Sequence, residues 1–501
     1  MPRGLSLLLL LAVSACAQGE PSPLRPTAPA SAATTRASID PATVRASLDR
    51  AASAFEATAV EGAYAWACSV DGRHRYGETA LGPAEGAVQP PGTPAVGETW
   101  LRAYRATGDR AYLERARRAG QALARGQLPF GGWDYVLSPA PRDGLTTFDD
   151  DTTQSAVRFL IRLVAALEGA SANTGDETVR AALDRALSAV VAAQYPNGGW
   201  PQRWDGRRHR PADHPGGAAR IPETYPRQHP RSPYYGHYTL NDHAHRDLLL
   251  TLRLAVRHTR RPDVAQAYAR GLAFVREAQL PEPQAGWAQQ YNIAMEPAWA
   301  RAFEPPAVSA AESGQLVRLL VDLYLEDGDA SLLTPVGPAL EWLRRSRLPS
   351  GEWARLYELG TNQPLYGDRD GRLHTTLEEI SAERRSGYRW QGDFDIPETL
   401  ARADGVLAEG REAWLRRHPG WSFDGDEPAT MSRKREARAI TVIESLDTEG
   451  RWTSPARGQR AAVHPGLWIE SAVFNANVRL LCDVLEARNT AAPRETQTVL
   501  P

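Results

Sequence analysis

Nine residues from Gln194 to Gln202, QYPNGGWPQ, return in altered form along the chain. The variants are QLPFGGWDY from Gln127, QLPEPQAGWAQQ from Gln279, RLPSGEWARLY from Arg347 and a fainter DTEGRWT from Asp447. Between them lie segments in which Leu, Ala and Val recur at i, i+3, i+4 and i+7 with Arg and Glu interspersed, the period of amphipathic helices. PATVRASLDRAASAF (41–55), TTQSAVRFLIRLVAALEG (152–169) and IESAVFNANVRLLCDVLEAR (469–488) are examples, and strand-like alternation is scarce. Self-similarity at the period of a helix pair predicts stacked or ring-closed helical hairpins. The expected fold is therefore all-α, an (α/α) toroid of hairpins. In each break, glycine ends a helix in a left-handed cap, proline keeps the chain out of helix and tryptophan packs across the hairpin end. Every break returns the chain to the same rim, so the segments after the breaks are expected to line one polar cleft.

The 501 residues carry 58 Lys and Arg against 60 Asp and Glu, with 42% hydrophobic residues. That is ample material for a core, and without a basic excess nucleic acid is not expected as a partner. The N-terminus reads as an export signal: Arg3, the apolar run LSLLLLLAV, then SACAQ around Cys16. Small residues leading into a cysteine are similar to the lipobox of bacterial lipoproteins. Residues 1–16 are thus expected to be a signal peptide and 17–40 a Pro/Ala/Ser/Thr tether. Residues 41–490 are expected to form one toroid domain with an insertion at 203–232, and 491–501 a tail. A monomer held to a membrane only by lipid on Cys16, in the periplasm or at an outer membrane, is the expected form. Cys68 and Cys482 are left either to pair or to stay as buried thiols.

Chemistry concentrates after the breaks, in loops that more often carry function than core positions do. Asp149, Asp150 and Asp151 precede a strong helix. One carboxylate suffices to cap a helix, whereas three flanked by threonines suit a hard cation, which takes six to eight oxygens. Asn241 and Asp242 begin another helix and admit the same two readings. In PAWARAFEPP (297–306) prolines brace Arg301 and Glu304, and an arginine so held suits a carboxylate or phosphate. A structural Arg301–Glu304 pair is the alternative. Arg355, Arg369, Arg384, Arg385 and Arg389 follow, a basic group suited to an anionic sugar.

These residues carry a family resemblance. DDDTTQSAVRFL, AQYPNGGWPQ, YTLNDHA, WAQQYN…PAWARAFEPPAVSAAES, WARLYELGTNQPLYGDRDG and LEEISAERRSGYRW occur in that order, from about Gly62 to Trp390. The chain resembles the pectate lyases of polysaccharide lyase family 10. The resemblance implies Ca²⁺-dependent β-elimination of polygalacturonate, in which a base removes the C5 proton of a galacturonate and O4 leaves. It implies Arg301 as that base and Asp149 with Asp150 at the Ca²⁺. Asp242, Asn241, Arg369, Arg384, Arg385 and Trp200 are the implied substrate-binding residues. Two departures stand out: Asp150 replaces a residue usually Asn, and the 203–232 insertion is absent from minimal members. Another uronate lyase, a toroid glycoside hydrolase and a non-catalytic oligogalacturonide binder are the competing readings.

Overall fold

A computed structural model describes residues 39–139, 144–170, 176–423 and 432–491. The expected signal peptide with Cys16, most of the expected tether and the expected tail lie outside these. Fifteen helices are described, and they pair as the repeats predict. The hairpins are α2 (Thr93–Thr107) with α3 (Arg110–Arg125), α4 (Thr152–Ala170) with α5 (Glu177–Ala193), and α6 (Ala244–His258) with α7 (Pro262–Glu277). Two more are α8 (Ala310–Asp327) with α9 (Val336–Arg345), and α11 (Ile396–Glu409) with α12 (Arg411–Arg417), the short α10 (Ala382–Gly387) lying between them. The last helix, α15 (Ser471–Ala491), packs on α1 (Pro41–Glu56), on α13 (Arg433–Glu444) and on α2, joining the end of the chain to its beginning; α14 (Gln459–Val463) is a single turn.

An inner set of helices results, in which α15, α2, α4 and α6 pack in succession, α8 meets the turn that opens α6, and α11 packs on α8. Helices α3, α5 and α7 lie outside them, with α3 on α5 and α5 on α7. This is an (α/α) toroid. A small antiparallel sheet reinforces its seam. Thr453–Pro455 and Leu467–Glu470 from the end of the chain pair with Ala67–Ser69, Arg75–Tyr76 and Ala80–Leu81 from its start. Across the same seam Arg102 on α2 bonds Asp483 and Glu486 on α15, at 2.6 and 2.9 Å.

The breaks are clasps with one shared set of bonds. Gln127 donates its amide to the carbonyls of Gly131 (2.6 Å) and Ala182 on α5 (2.9 Å) and accepts from Arg185. Gln194 repeats this one hairpin on, donating to Gly198 (3.0 Å) and Ala267 on α7 (2.9 Å) and accepting from Arg270. Gln279 donates to Ala285 and to Pro335 at the start of α9. These three clasps each bind their own turn and the next outer helix, tying consecutive hairpins together. The tryptophans follow the same rule. Trp133, Trp200, Trp353 and Trp452 donate their indole N–H to Leu123, Val190, Leu343 and Val442, each ten residues back, and Trp287 to Val275, twelve back across a longer turn. Gly198, at φ +94°, shows why glycine recurs: a Cβ there would sit 2.2 Å from the Arg270 carbonyl oxygen.

The cysteines stay separate. Cys68 in the seam sheet and Cys482 on α15 are both free and buried, small apolar groups in effect. Burial raises both thiols' pKa, that of Cys482 to about 12, which leaves them unreactive.

Candidate active site

Three inner helices begin with two consecutive residues in the left-handed region: Asp150 and Asp151 before α4, Asp242 and His243 before α6, Phe394 and Asp395 before α11. Their φ values run from 47 to 64°. Non-glycine residues pay on the order of 1–3 kcal/mol each for that conformation, and such turns gather where function needs a side chain aimed away from the helix. The first two turns touch each other. They bring carboxylate oxygens of Asp149, Asp150 and Asp242 within 4.8 Å of one another.

The acidic cluster has limited internal support. Tyr135 donates its hydroxyl to Asp149 Oδ2 (2.7 Å), Gln89 donates to Asp150 Oδ2 (3.0 Å) and Asn241 donates to Asp242 Oδ2 (3.0 Å). Asp149 Oδ1 is buried without a hydrogen-bond partner among the described residues. Burial, and then the mutual repulsion of the carboxylates, raises the pKa of Asp150 well above the usual range. Burial raises Asp242 too, against the pull of Arg301. A buried orphan oxygen within a set of repelling carboxylates fits a hard divalent cation. Asp149, Asp150 and Asp242 are the residues that would hold such a cation. Asp151 belongs elsewhere, since it bonds Arg158 at 2.5 Å.

Opposite stands Arg301. Its Nε and Nη2 grip Glu304 in a fork at 2.8 and 2.5 Å, its backbone N–H reaches the same carboxylate at 3.1 Å, and Nη2 meets Asp242 at 3.5 Å. Glu304 is fully buried and also accepts from Tyr388 (3.2 Å). Burial alone would lower the pKa of Arg301, but Glu304 and then Asp242 outweigh it and hold the guanidinium firmly protonated. Burial would likewise raise Glu304, and Arg301 holds it below its ordinary value. Arg355 lies behind, half-buried, near Glu312 (3.6 Å) and Tyr388 (3.4 Å). The Phe303 ring gathers the guanidiniums of Arg384, Arg301 and Arg369 at 4.5, 5.0 and 5.8 Å.

Asp149, Tyr135, Arg301, Phe303 and Arg369 line one cavity of about 1040 Å³, at the upper end of small-ligand sites. The remaining expected site residues are placed unevenly. Arg369 reaches the cavity but shares Glu383 with Arg384, each gripping that carboxylate in a fork. These bonds, from Arg369 first, hold Glu383 down at about 2. Arg384 is itself buried under Phe303, while Arg385 is exposed and outside the cavity lining. Asn241 is buried and spent on protein partners: it accepts from Gln289 (2.7 Å) and donates to Asp242. Trp200 is a correction. It is 1% exposed, packed edge-on against His245 with its N–H on Val190, and has no face left for a sugar.

Tyr135, Gln89 and Tyr388 are site residues that the sequence reading passed over. Tyr388 stands inside the SGYRW motif and Tyr135 two residues after a clasp tryptophan, both legible in hindsight. Gln89 comes from a segment with no motif at all.

A ring of helical hairpins thus carries an acidic floor and an arginine wall at one rim. A family model for pectic acid lyases matches residues 137–352 and 346–397, just over half of the chain. The chain belongs to the pectic acid lyase family. Among solved structures, a mutant of the family 10 polysaccharide lyase from Cellvibrio cellulosa, in complex with trigalacturonic acid, is similar at 21% identity over 63% of this chain and 97% of its own, with a TM-score of 0.45. Cellobiose 2-epimerase from Spirochaeta thermophila is similar at 15% identity over 90% of this chain and 97% of its own, with a TM-score of 0.44. A search of curated proteins finds no match.

Proposed function

We propose that this lyase cleaves polygalacturonate or its oligomers by Ca²⁺-dependent β-elimination. The observation that carries the reading is the convergence of Asp149, Asp150 and Asp242 on one point beside Arg301. In the reaction a base takes the C5 proton, the C–H electrons form the C4–C5 double bond, and O4 departs with the glycosidic bond and gains a proton. Charge accumulates on the C6 carboxylate as the proton leaves, so positive groups fixed beside that carboxylate lower the barrier. Ca²⁺ bound by the three aspartates would supply such charge. Arg369 offers a further cation at the cavity wall.

Arg301 is the proposed base. Glu304 fixes its plane and Phe303 its face, which orients the guanidinium toward bound sugar. Its resting state is a cation, so the step requires loss of a proton that Glu304 and Asp242 hold in place. Neutralising Asp242 weakens that hold, and alkaline conditions favour the deprotonated form. The export signal and Cys16 anchor expected from the sequence would place such an enzyme where a polymeric substrate lies outside the cell.

The test is ultraviolet absorbance of the 4,5-unsaturated product on polygalacturonate, with Ca²⁺, with chelator, and with Arg301→Ala. The reading expects a rise that needs both the cation and Arg301. New reducing ends without that absorbance would mean a hydrolase and overturn it.

A further inference from the structure

The insertion is tied to the site itself. His229, near its end, bonds to two loops that carry site arginines. Its backbone N–H donates to Gly371 (2.8 Å), two residues beyond Arg369, and its Nε2 meets the carbonyl of Ala300 (2.9 Å), the residue before Arg301. The Arg231 backbone N–H donates to His229 Nδ1 (3.1 Å), which makes Nε2 the protonated nitrogen and the donor to Ala300. The His229 ring stands edge-on to Trp299 at 5.5 Å, and Trp299 donates its indole N–H to the carbonyl of Pro226 (2.8 Å). One histidine thus sets the distance between the Arg301 loop, the Arg369 turn and the insertion.

Arg231 is what this arrangement holds out. It lines the same cavity as Asp149 and Arg301, followed by Tyr234 and Tyr235 on the cavity wall. Its backbone is left-handed at φ 55°, a strained conformation for a residue with a long side chain. Arg301, Arg355, Arg369 and Arg384 each lie within ion-pair distance of a carboxylate, whereas Arg231 forms no ion pair among the described residues. A cation held out by a strained turn, without a counterion, in a cavity that takes an acidic polymer is suited to a carboxylate supplied by the ligand.

We propose that Arg231 is a substrate-binding residue contributed by the insertion, taking a uronate carboxylate, and that His229 is the residue that positions it. The proposal rests on the reading of the cavity as a uronate site. It assigns the insertion a part in substrate binding: an added subsite beyond the Asp149–Arg301 centre, one that discriminates charged from esterified sugar. The chemistry at C5 does not pass through Arg231.

Steady-state kinetics and calorimetric binding on the full chain test this, with trigalacturonate, its methyl ester and oligomers of glucuronate and mannuronate as probes. Arg231→Ala is expected to raise KM and Kd for trigalacturonate about tenfold, the scale of one charge-assisted hydrogen bond, with kcat little changed and no effect on the methyl ester. Arg231→Gly is expected to bind equally poorly yet melt at a higher temperature than wild type, because glycine relieves the turn. His229→Ala is expected to raise KM and lower kcat together, since it loosens the Arg301 loop as well. His229→Gln, whose amide N–H can take the place of Nε2 at the Ala300 carbonyl, is expected to recover part of both.

Wild-type cleavage of trigalacturonate with an unchanged KM in Arg231→Ala would overturn the proposal and leave the lyase reading intact. Arg231-dependent binding of another uronate, with galacturonate ignored, would uphold Arg231 and overturn the choice of sugar. Failure to bind any uronate would sink both.

Discussion

On the arginine side of the cleft, Arg301 has Glu304 in a two-point grip, Glu304 has Tyr388, and Arg369 and Arg384 divide Glu383 between them. On the aspartate side, three carboxylates face one another: Asp149 accepts from Tyr135, Asp150 from Gln89, Asp242 from Asn241 and, at 3.5 Å, from Arg301, and Asp149 Oδ1 has no hydrogen-bond partner among the described residues. The arginine wall pairs each cation with a carboxylate, whereas the aspartate floor sets three carboxylates against Arg301, itself already forked to Glu304. In low dielectric an uncompensated carboxylate shifts its pKa upward or acquires a cation. The arginine wall is thus rigid before ligand arrives, whereas the aspartate floor is completed by what binds to it.

The comparison breaks first at Arg301. Arg301→Ala is expected to cut turnover at least about 10³-fold as an acid–base residue. It should also destabilise the fold by about 3 kcal/mol, because Glu304 is left charged and buried. Product absorbance and denaturant melts read the two effects separately. A full-activity Arg301→Ala would remove this residue from the chemistry altogether.

Asp149→Ala is expected to reverse that pattern: activity falls about 100-fold while stability without Ca²⁺ holds or rises, since a repelling carboxylate is gone. A stability loss like that of Arg301→Ala would show that the two walls are built alike after all. Tyr135→Phe probes the support of the same aspartate. Removing the hydroxyl that orients Asp149 should weaken cation affinity about 10-fold, measured by Ca²⁺ titration, with the metal-free melting point nearly unchanged.

The contrast between the walls also sets a pH dependence. Asp150 and Asp242 have folded-state pKa values raised above the unfolded value of about 4. The folded state therefore binds more protons, and these groups subtract stability progressively as pH climbs above about 4 until they titrate in the fold. Ca²⁺ at a hundredfold excess over its Kd should return about 2.7 kcal/mol at high pH and progressively less toward pH 4. Melting curves with Ca²⁺ and with chelator, across pH, check this. A Ca²⁺ effect independent of pH would place the cation away from these aspartates.

The fold was legible because its signals are local. Helical period, clasp glycines and the spacing of each tryptophan from its partner carbonyl depend on neighbours in the chain, and five breaks repeated the message. Arg301 with Glu304 was legible for the same reason: three residues apart and braced by proline, they meet whatever the rest of the chain does. The resemblance named Asp149, Asp150 and Asp242. It did not show that Asp151, next in line, turns away to Arg158, because two left-handed residues in a row send adjacent side chains to different places.

What only the tertiary structure decided is who meets whom across the ring. Trp200 and Asn241 carry residue types that suit a sugar site, yet both lie inside, committed to protein partners. Gln89 bonds Asp150 from 61 residues away, and no local pattern encodes a contact made by closing a toroid. His229 sits in the 203–232 segment, which has no helical period, so nothing local signals that it bridges the Arg301 and Arg369 loops. Periodicity and turn chemistry act through adjacent residues and can be read in order. The pairing of charges in the cleft depends on which rim loops the closed ring brings face to face, and that is a property of the folded ring alone.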